Sequence, residues 1–258
     1  MRTALLAVLL LSGAVASATQ FALPLHAPPR LRARPGEPGL RLGLGWTAVR
    51  GPDLALEGPG GGWELAAMSE GGLGGHLHAD AFALSGQAAP LQGSRRATGM
   101  TGTMEGDASW SPDGPDGAVR VYAGGAVNLT MLSFTGAGRV TVGGGGLVVE
   151  PDTAVSLVAG LPFGVALRRR LGEDWSLDAA LSGAAWLGGK TFFTYGPAGP
   201  LSRGSTRKVD PNLGGGARLL LEHLPSRLAL EGGVSAAAAA GNNDGHAFAW
   251  AQLALHLF

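Results

Sequence analysis

The chain is predicted to be all-β, a transmembrane antiparallel up-and-down barrel, on three observations. Apolar and polar residues alternate with period 2 along most of its length, several alternating runs reach 11 to 15 residues, and Gly, Pro, Asn and Asp clusters separate them. Strands of soluble sandwiches usually run about 5 to 6 residues. At about 3.3 Å per residue the longer runs can cross a hydrocarbon layer even when tilted. Inside lipid every backbone group must be satisfied within the protein, and only a sheet closed on itself achieves that.

The chain opens with Met1-Arg2-Thr3, an apolar run from Ala4 to Leu11, and the small-x-small sequence Ala16-Ser17-Ala18. This order predicts a secretory signal peptide over 1–18, cut after Ala18, because the apolar run is too short for a transmembrane helix of about 20 residues. Residues 19–38 are rich in proline and arginine and read as an extended arm. The barrel is expected over 39–258.

Within it, Leu40, Leu42, Leu44, Trp46 and Ala48 share one face of a strand while Arg41, Gly43, Gly45 and Thr47 share the other. Met100, Gly102, Met104, Gly106, Ala108 and Trp110 alternate with Thr101, Thr103, Glu105, Asp107 and Ser109. Val119, Val121, Ala123, Val127, Leu129 and Met131 alternate with Arg120, Tyr122, Asn128 and Thr130. Trp175, Leu177, Ala179, Leu181 and Leu187 oppose Ser176, Asp178 and Ser182, and Leu213, Ala217, Leu219 and Leu221 oppose Asn212, Arg218 and Glu222. Turn signals fall at 111–117, 150–152, 171–174, 223–226 and 241–245, and two longer connections are expected over 85–99 and 188–208. About eleven strand-like segments can be counted, and closure with both ends on one side needs an even number. About twelve strands are therefore expected, with Gln20 to His26 or Thr191 to Tyr195 supplying one more. Ten is the alternative, reached if Trp63 to Met68 drops out.

Composition excludes several function classes. No cysteine is present to staple an exported fold, and 19 basic residues balance 19 acidic ones, so there is no nucleic-acid footprint. Past the signal no stretch of 18 apolar residues suggests a membrane helix. The 45 glycines accompany 45% hydrophobic residues, which argues against disorder.

The last segment, Ala247 to Phe258, carries apolar residues at alternate positions and ends in Phe; Phe248, Trp250, Ala254 and Phe258 follow that pattern, while Gln252 and His256 depart from it. In this it resembles the closing strand of bacterial outer-membrane β-barrels. The resemblance implies a Gram-negative outer-membrane location, membrane lipids and lipopolysaccharide as surroundings, and recognition by the assembly machinery through the strand ending at Phe258. Trp46, Trp110, Trp175 and Trp186 would form an aromatic girdle at the headgroups.

Candidates for chemistry are few. Ala184 to Thr191 loosely matches a phosphate loop, but Phe192-Phe193-Thr194-Tyr195-Gly196-Pro197 cannot open the helix that such a loop requires. His76, His78 and Asp80 lie on one face of a strand and are the candidate metal ligands, set against an ordinary role as lumen-facing polar residues. No catalytic residue and no cofactor site is expected: there is no Gly-x-Ser-x-Gly elbow, and His26, His223 and His246 have no evident nucleophile beside them in sequence. Arg168-Arg169-Arg170 and Arg203, Arg207 and Lys208 read as interfacial charges able to meet anionic headgroups. The expected inward face is rich in Gly, Ala and Ser, with Arg41, Arg120, Arg218, Glu105 and Asp107 filling the space in part. The expected function is a non-enzymatic barrel, structural and surface-exposed or a small porin-like channel. The alternatives are an outer-membrane enzyme acting on lipid or lipopolysaccharide, and a soluble periplasmic β-protein.

Overall fold

In a computed structural model the alternating runs form strands throughout. The structure describes residues 36, 38–89, 94–114, 117–135, 140–143, 146–149, 151–195, 203–238 and 245–257. The signal segment, nearly all of the Pro/Arg-rich arm and Phe258 lie outside these. The strands are β1 (Gly39–Gly51), β2 (Leu54–Met68), β3 (Leu73–Ala88), β4 (Arg95–Trp110), β5 (Val119–Phe134), β6 (Val140–Gly143), β7 (Gly146–Val149), β8 (Thr153–Leu171), β9 (Trp175–Tyr195), β10 (Arg203–Val209), β11 (Asn212–His223), β12 (Leu228–Ala237) and β13 (His246–His256). Every pairing is antiparallel.

The sheet runs β9-β11-β12-β13-β1-β2-β3-β4-β5-β8, and β8 pairs back onto β9, so ten strands close a barrel. Strand β10 stands outside this count. It continues the β11 ladder along β9, Val209 opposite Gly189 and Asn212 opposite Trp186, with Asp210-Pro211 interrupting it. The twelve strands expected from sequence are thus corrected to ten. Trp63 to Met68 is the end of β2, and Thr191 to Tyr195 the end of β9. The glycines of 58–62 show no side chains whose alternation could join the two halves of β2 into one strand, and the ladder to β3 has a gap at Gly58-Pro59. Much of the two long connections expected over 85–99 and 188–208 is likewise strand. The hairpin β6–β7 lies apart from the barrel sheet.

Both ends of the barrel sequence lie at one rim, since Arg41 of β1 pairs with His256 of β13. The turns at that rim are short, as at 172–174 and 224–227, while the segments between β5 and β8 and between β9 and β11 at the opposite rim are longer. We call these the terminus rim and the loop rim.

Burial follows the sequence parity. Arg41, Glu105, Asn128, Asp178 and Arg218 point inward, and Leu42, Met104, Leu129, Leu181 and Leu219 point outward. Among the described residues 32 large apolar side chains are exposed. A soluble monomer does not display so continuous an apolar surface, since its largest patch usually covers only a few hundred Å². On β5 the outward apolar positions run from Val121 to Met131. That is about 33 Å of strand, or about 25 Å of height after a tilt of roughly 40°, the height of a lipid-facing band.

One expectation about aromatic residues changes. Trp110 and Trp175 face outward at the terminus rim, Trp63 and Trp46 face outward within β2 and β1, but Trp186 is buried in the lumen. On the closing strand the residues that follow the family pattern face the lumen. Phe248, Trp250 and Ala254 point into the lumen, and Leu253, Leu255 and Leu257 face out. Gln252 and His256, which depart from the family pattern, are inward polar residues, as their chemistry requires.

One irregularity shapes the loop rim. At Leu187-Gly188 the β8–β9 register shifts, so that inward positions change from even (Ala184, Trp186) to odd (Thr191, Phe193). Gly188 has φ +99°, and a Cβ there would sit 2.5 Å from the Val209 carbonyl oxygen. Only glycine serves at that bend.

Candidate functional site

The lumen is where the inward side chains meet, and it is filled in three zones. Towards the terminus rim it is charged. Arg218 contacts Asp178 at 2.6 Å, Arg168 contacts Glu222 at 2.7 Å, and His256 approaches the other Glu222 oxygen at 2.8 Å. Arg41 pairs with Glu231, whose second oxygen accepts from the Trp250 indole N–H at 3.2 Å. His76 Nε2 lies 2.8 Å from an Arg120 nitrogen, and Gln252 donates to Asp80 at 3.4 Å from three strands away around the wall.

The middle zone is built by register. Thr101, Thr130, Ser156 and Thr191 occupy one continuous ladder row across β4, β5, β8 and β9. Their hydroxyls pair at 3.0 Å (Thr101 with Thr130) and 2.7 Å (Ser156 with Thr191), and Asn128 donates to Thr103 Oγ1 and the Gly102 carbonyl at 3.0 Å. Towards the loop rim the filling is apolar, with Leu56, Phe82, Leu132, Phe193 and Phe248 in one cluster. Arg95 lies over this cluster, donating to the Pro151 carbonyl at 2.8 Å and stacking its guanidinium over Phe134. Arg41, Thr47, Glu64, Glu105, Asn128 and Thr130 are all 0% exposed, so no water-sized path reaches them. The space that Gly, Ala and Ser were expected to leave open is occupied.

The three candidate metal ligands from sequence, His76, His78 and Asp80, all point inward from β3 as their spacing requires. They do not converge, because i to i+4 along a strand spans about 13 Å, and each meets a different partner. The structure instead brings His78 to Glu105 and Asp107 of β4. His78 lies directly opposite Glu105, and Asp107 is opposite His76. His78 Nε2 is 3.4 Å from Glu105 and its Nδ1 4.0 Å from Asp107, and one ligand atom from each of the three falls within 4.8 Å of the others. The sequence signal for this was the Thr-x-Thr-x-Glu-x-Asp alternation of β4, visible as a polar face but not as a partner of β3.

The other candidates resolve simply. Ala184 to Thr191 lies within β9, and no helix occurs among the described residues. His223 Nδ1 is 2.7 Å from Ser226 Oγ in the exposed β11–β12 turn, with the ring against Trp175, and no carboxylate is in contact with it among the described residues. His246 is a lumen residue edge-on to Phe248, and His26 lies outside the described residues. Arg168 turns inward to Glu222, whereas Arg169 and Arg170 are exposed at the terminus rim. Arg203, Arg207 and Lys208 lie on β10 at the loop rim.

The fold and filled lumen define a closed antiparallel barrel with an apolar exterior, and the chain is similar to bacterial outer-membrane β-barrels of solved structure. Ail, the attachment invasion locus protein of Yersinia pestis, solved with the heparin analogue sucrose octasulfate, is 13% identical, with 86% of this chain and 99% of that one covered and a TM-score of 0.35. The β domain of the Bordetella autotransporter BrkA is 14% identical over 83% and 98% of the two chains, with a TM-score of 0.38. The Ralstonia pickettii toluene transporter TbuX is 8% identical over 84% and 89%, with a TM-score of 0.38. No protein-family model and no curated protein matches the chain.

Proposed function

We propose that this chain is a non-conducting outer-membrane β-barrel with a structural or surface role, its lumen closed by its own side chains. The observation that carries this reading is the filling of the lumen at every level, from the charged zone at Arg41 and Arg218 to the apolar zone at Phe82 and Phe248. A ten-stranded barrel is narrower than the porins of 16 to 18 strands that leave an aqueous channel, and here bulky residues take up the interior. The outward band of about 25 Å suits a membrane. A chain exported by its predicted signal peptide and spanning by strands belongs in an outer membrane. With the terminus rim facing the periplasm, Arg169 and Arg170 meet inner-leaflet headgroups, and Arg96 and Lys208, exposed at the loop rim, lie on the lipopolysaccharide side.

Purified protein reconstituted into planar lipid bilayers tests the closed lumen. The expected record is a flat baseline under applied voltage. Reproducible unit-conductance steps from wild-type protein would overturn the reading in favour of a channel.

A further inference from the structure

We infer that His78, Glu105 and Asp107 form a binding site for a divalent transition-metal ion inside the barrel wall. The three side chains come from adjacent strands, at 1%, 0% and 6% exposure, and their ligand atoms lie within 4.8 Å of one another. Donors around a tetrahedral ion with bonds of about 2.0–2.2 Å sit roughly 3.4 Å apart, so side-chain rotation of about an ångström brings the set to bonding distance. The ladder pairing of His78 with Glu105 fixes two of the three donors in one row, and Asp107 reaches the imidazole diagonally.

A further observation points to a cation there. His78 Nδ1 is buried and makes no hydrogen bond; the group it faces is Asp107, at 4.0 Å, too far for a hydrogen bond and within the separation of two ligands on one ion.

One imidazole with two carboxylates selects by chemistry. Imidazole nitrogen favours zinc-like ions and carboxylate oxygen favours harder ones, so the set suits Zn²⁺, Co²⁺ or Mn²⁺ rather than Ca²⁺ or Cu⁺. Binding requires neutral His78 and ionised Glu105 and Asp107, and therefore releases any proton the triad carries.

The test uses full-length mature protein folded into detergent micelles with one equivalent of Co²⁺ or Zn²⁺, then passed through a desalting column with chelator. The expected result is close to one metal per chain by elemental analysis, together with the visible absorption of tetrahedral Co²⁺. Glu105→Gln and Asp107→Asn keep the shape of the side chains and should each lower retained metal at least about tenfold. Asp80→Asn should leave it unchanged, which separates this triad from the three β3 residues His76, His78 and Asp80. Heat-modifiable gel mobility reports whether each variant has closed its barrel. Wild-type protein that folds but retains no metal overturns the inference. So does loss of metal in Asp80→Asn with full retention in Glu105→Gln. Neither result bears on the closed lumen, which the bilayer recording tests separately.

Discussion

An arginine placed at the mid-height of the outer wall should cost the barrel far more than one placed at its rim. Val127 lies on the outward face of β5, opposite Met104 of β4 and Ala159 of β8, both of which also face out. A guanidinium there finds a thioether, a methyl group and lipid, and no acceptor. It sits seven to eight residues from either end of β5, which is about 18 to 20 Å along the axis at a tilt of roughly 40°, too deep for the side chain to reach water. Val127→Arg should therefore cost about 2 to 4 kcal/mol. Leu171 also faces out but ends β8 at the terminus rim, where its partner is the exposed Trp175. Leu171→Arg should cost about 0 to 1 kcal/mol. The difference, about 1 to 4 kcal/mol, is a factor of about 5 to 1,000 in the folding equilibrium. Urea titration in phosphatidylcholine vesicles, followed by tryptophan fluorescence and by unheated gels, measures both. Costs below about 1 kcal/mol at both positions would mean that this face meets water, and the membrane assignment would fail.

Other outcomes follow from the same geometry. Arg218→Met alone should destabilise by about 3 to 5 kcal/mol, by leaving Asp178 buried without its 2.6 Å partner. The double change with Asp178→Leu should recover most of that in the same titration, and no recovery would show that the pair is not an isolated unit. Gly188→Ala should lower the urea midpoint, because it forces a Cβ onto the Val209 carbonyl at φ +99°, whereas Gly125→Ala, with nothing within 4 Å of the added atom, should leave the midpoint within error. Mass spectrometry of protein extracted from membranes should find Thr19 at the N-terminus; an intact Met1 to Ala18 would remove the signal-peptide reading. Phe258→Ala should reduce the heat-modifiable protein recovered in outer-membrane fractions, and equal recovery would detach the terminal residue from assembly.

The faces of the strands were legible because a one-residue slip would turn every apolar side chain inward and every charge into lipid. Leu42 out with Arg41 in, and Met104 out with Glu105 in, are cases where that penalty leaves one choice. On the closing strand Phe248 and Trp250 carry the family resemblance, but Leu253, Leu255 and Leu257 need the outside, and Gln252 and His256 need the inside. Parity therefore sends the aromatics into the lumen, where they help to close its loop half. Strand number was less legible, because glycine carries no face. Gly58 to Gly62 interrupt the alternation of β2 without interrupting its pairing to β1.

The metal triad was illegible for a different reason. A slip of two residues keeps every side chain on its own face, so alternation cannot say which inward residue of β4 lies opposite which inward residue of β3. Moved by two, His78 would face Thr103 or Asp107 instead of Glu105, with the apolar exterior unchanged. The observed register is set over the long β3–β4 ladder, from Leu73 opposite Trp110 to Ala88 opposite Arg95. It is held by what each inward pair does with its charge: Glu105 and Asp107 come to the histidines of β3, and Thr101 and Thr103 come to Asn128 and Thr130 of β5. A two-residue shift would set Glu105 opposite Asp80, or Asp107 opposite Gly74, which has no side chain to meet it. Sequence alone names His78 as a candidate ligand beside His76 and Asp80 of its own strand, and only the pairing of the whole hairpin brings Glu105 and Asp107 to it.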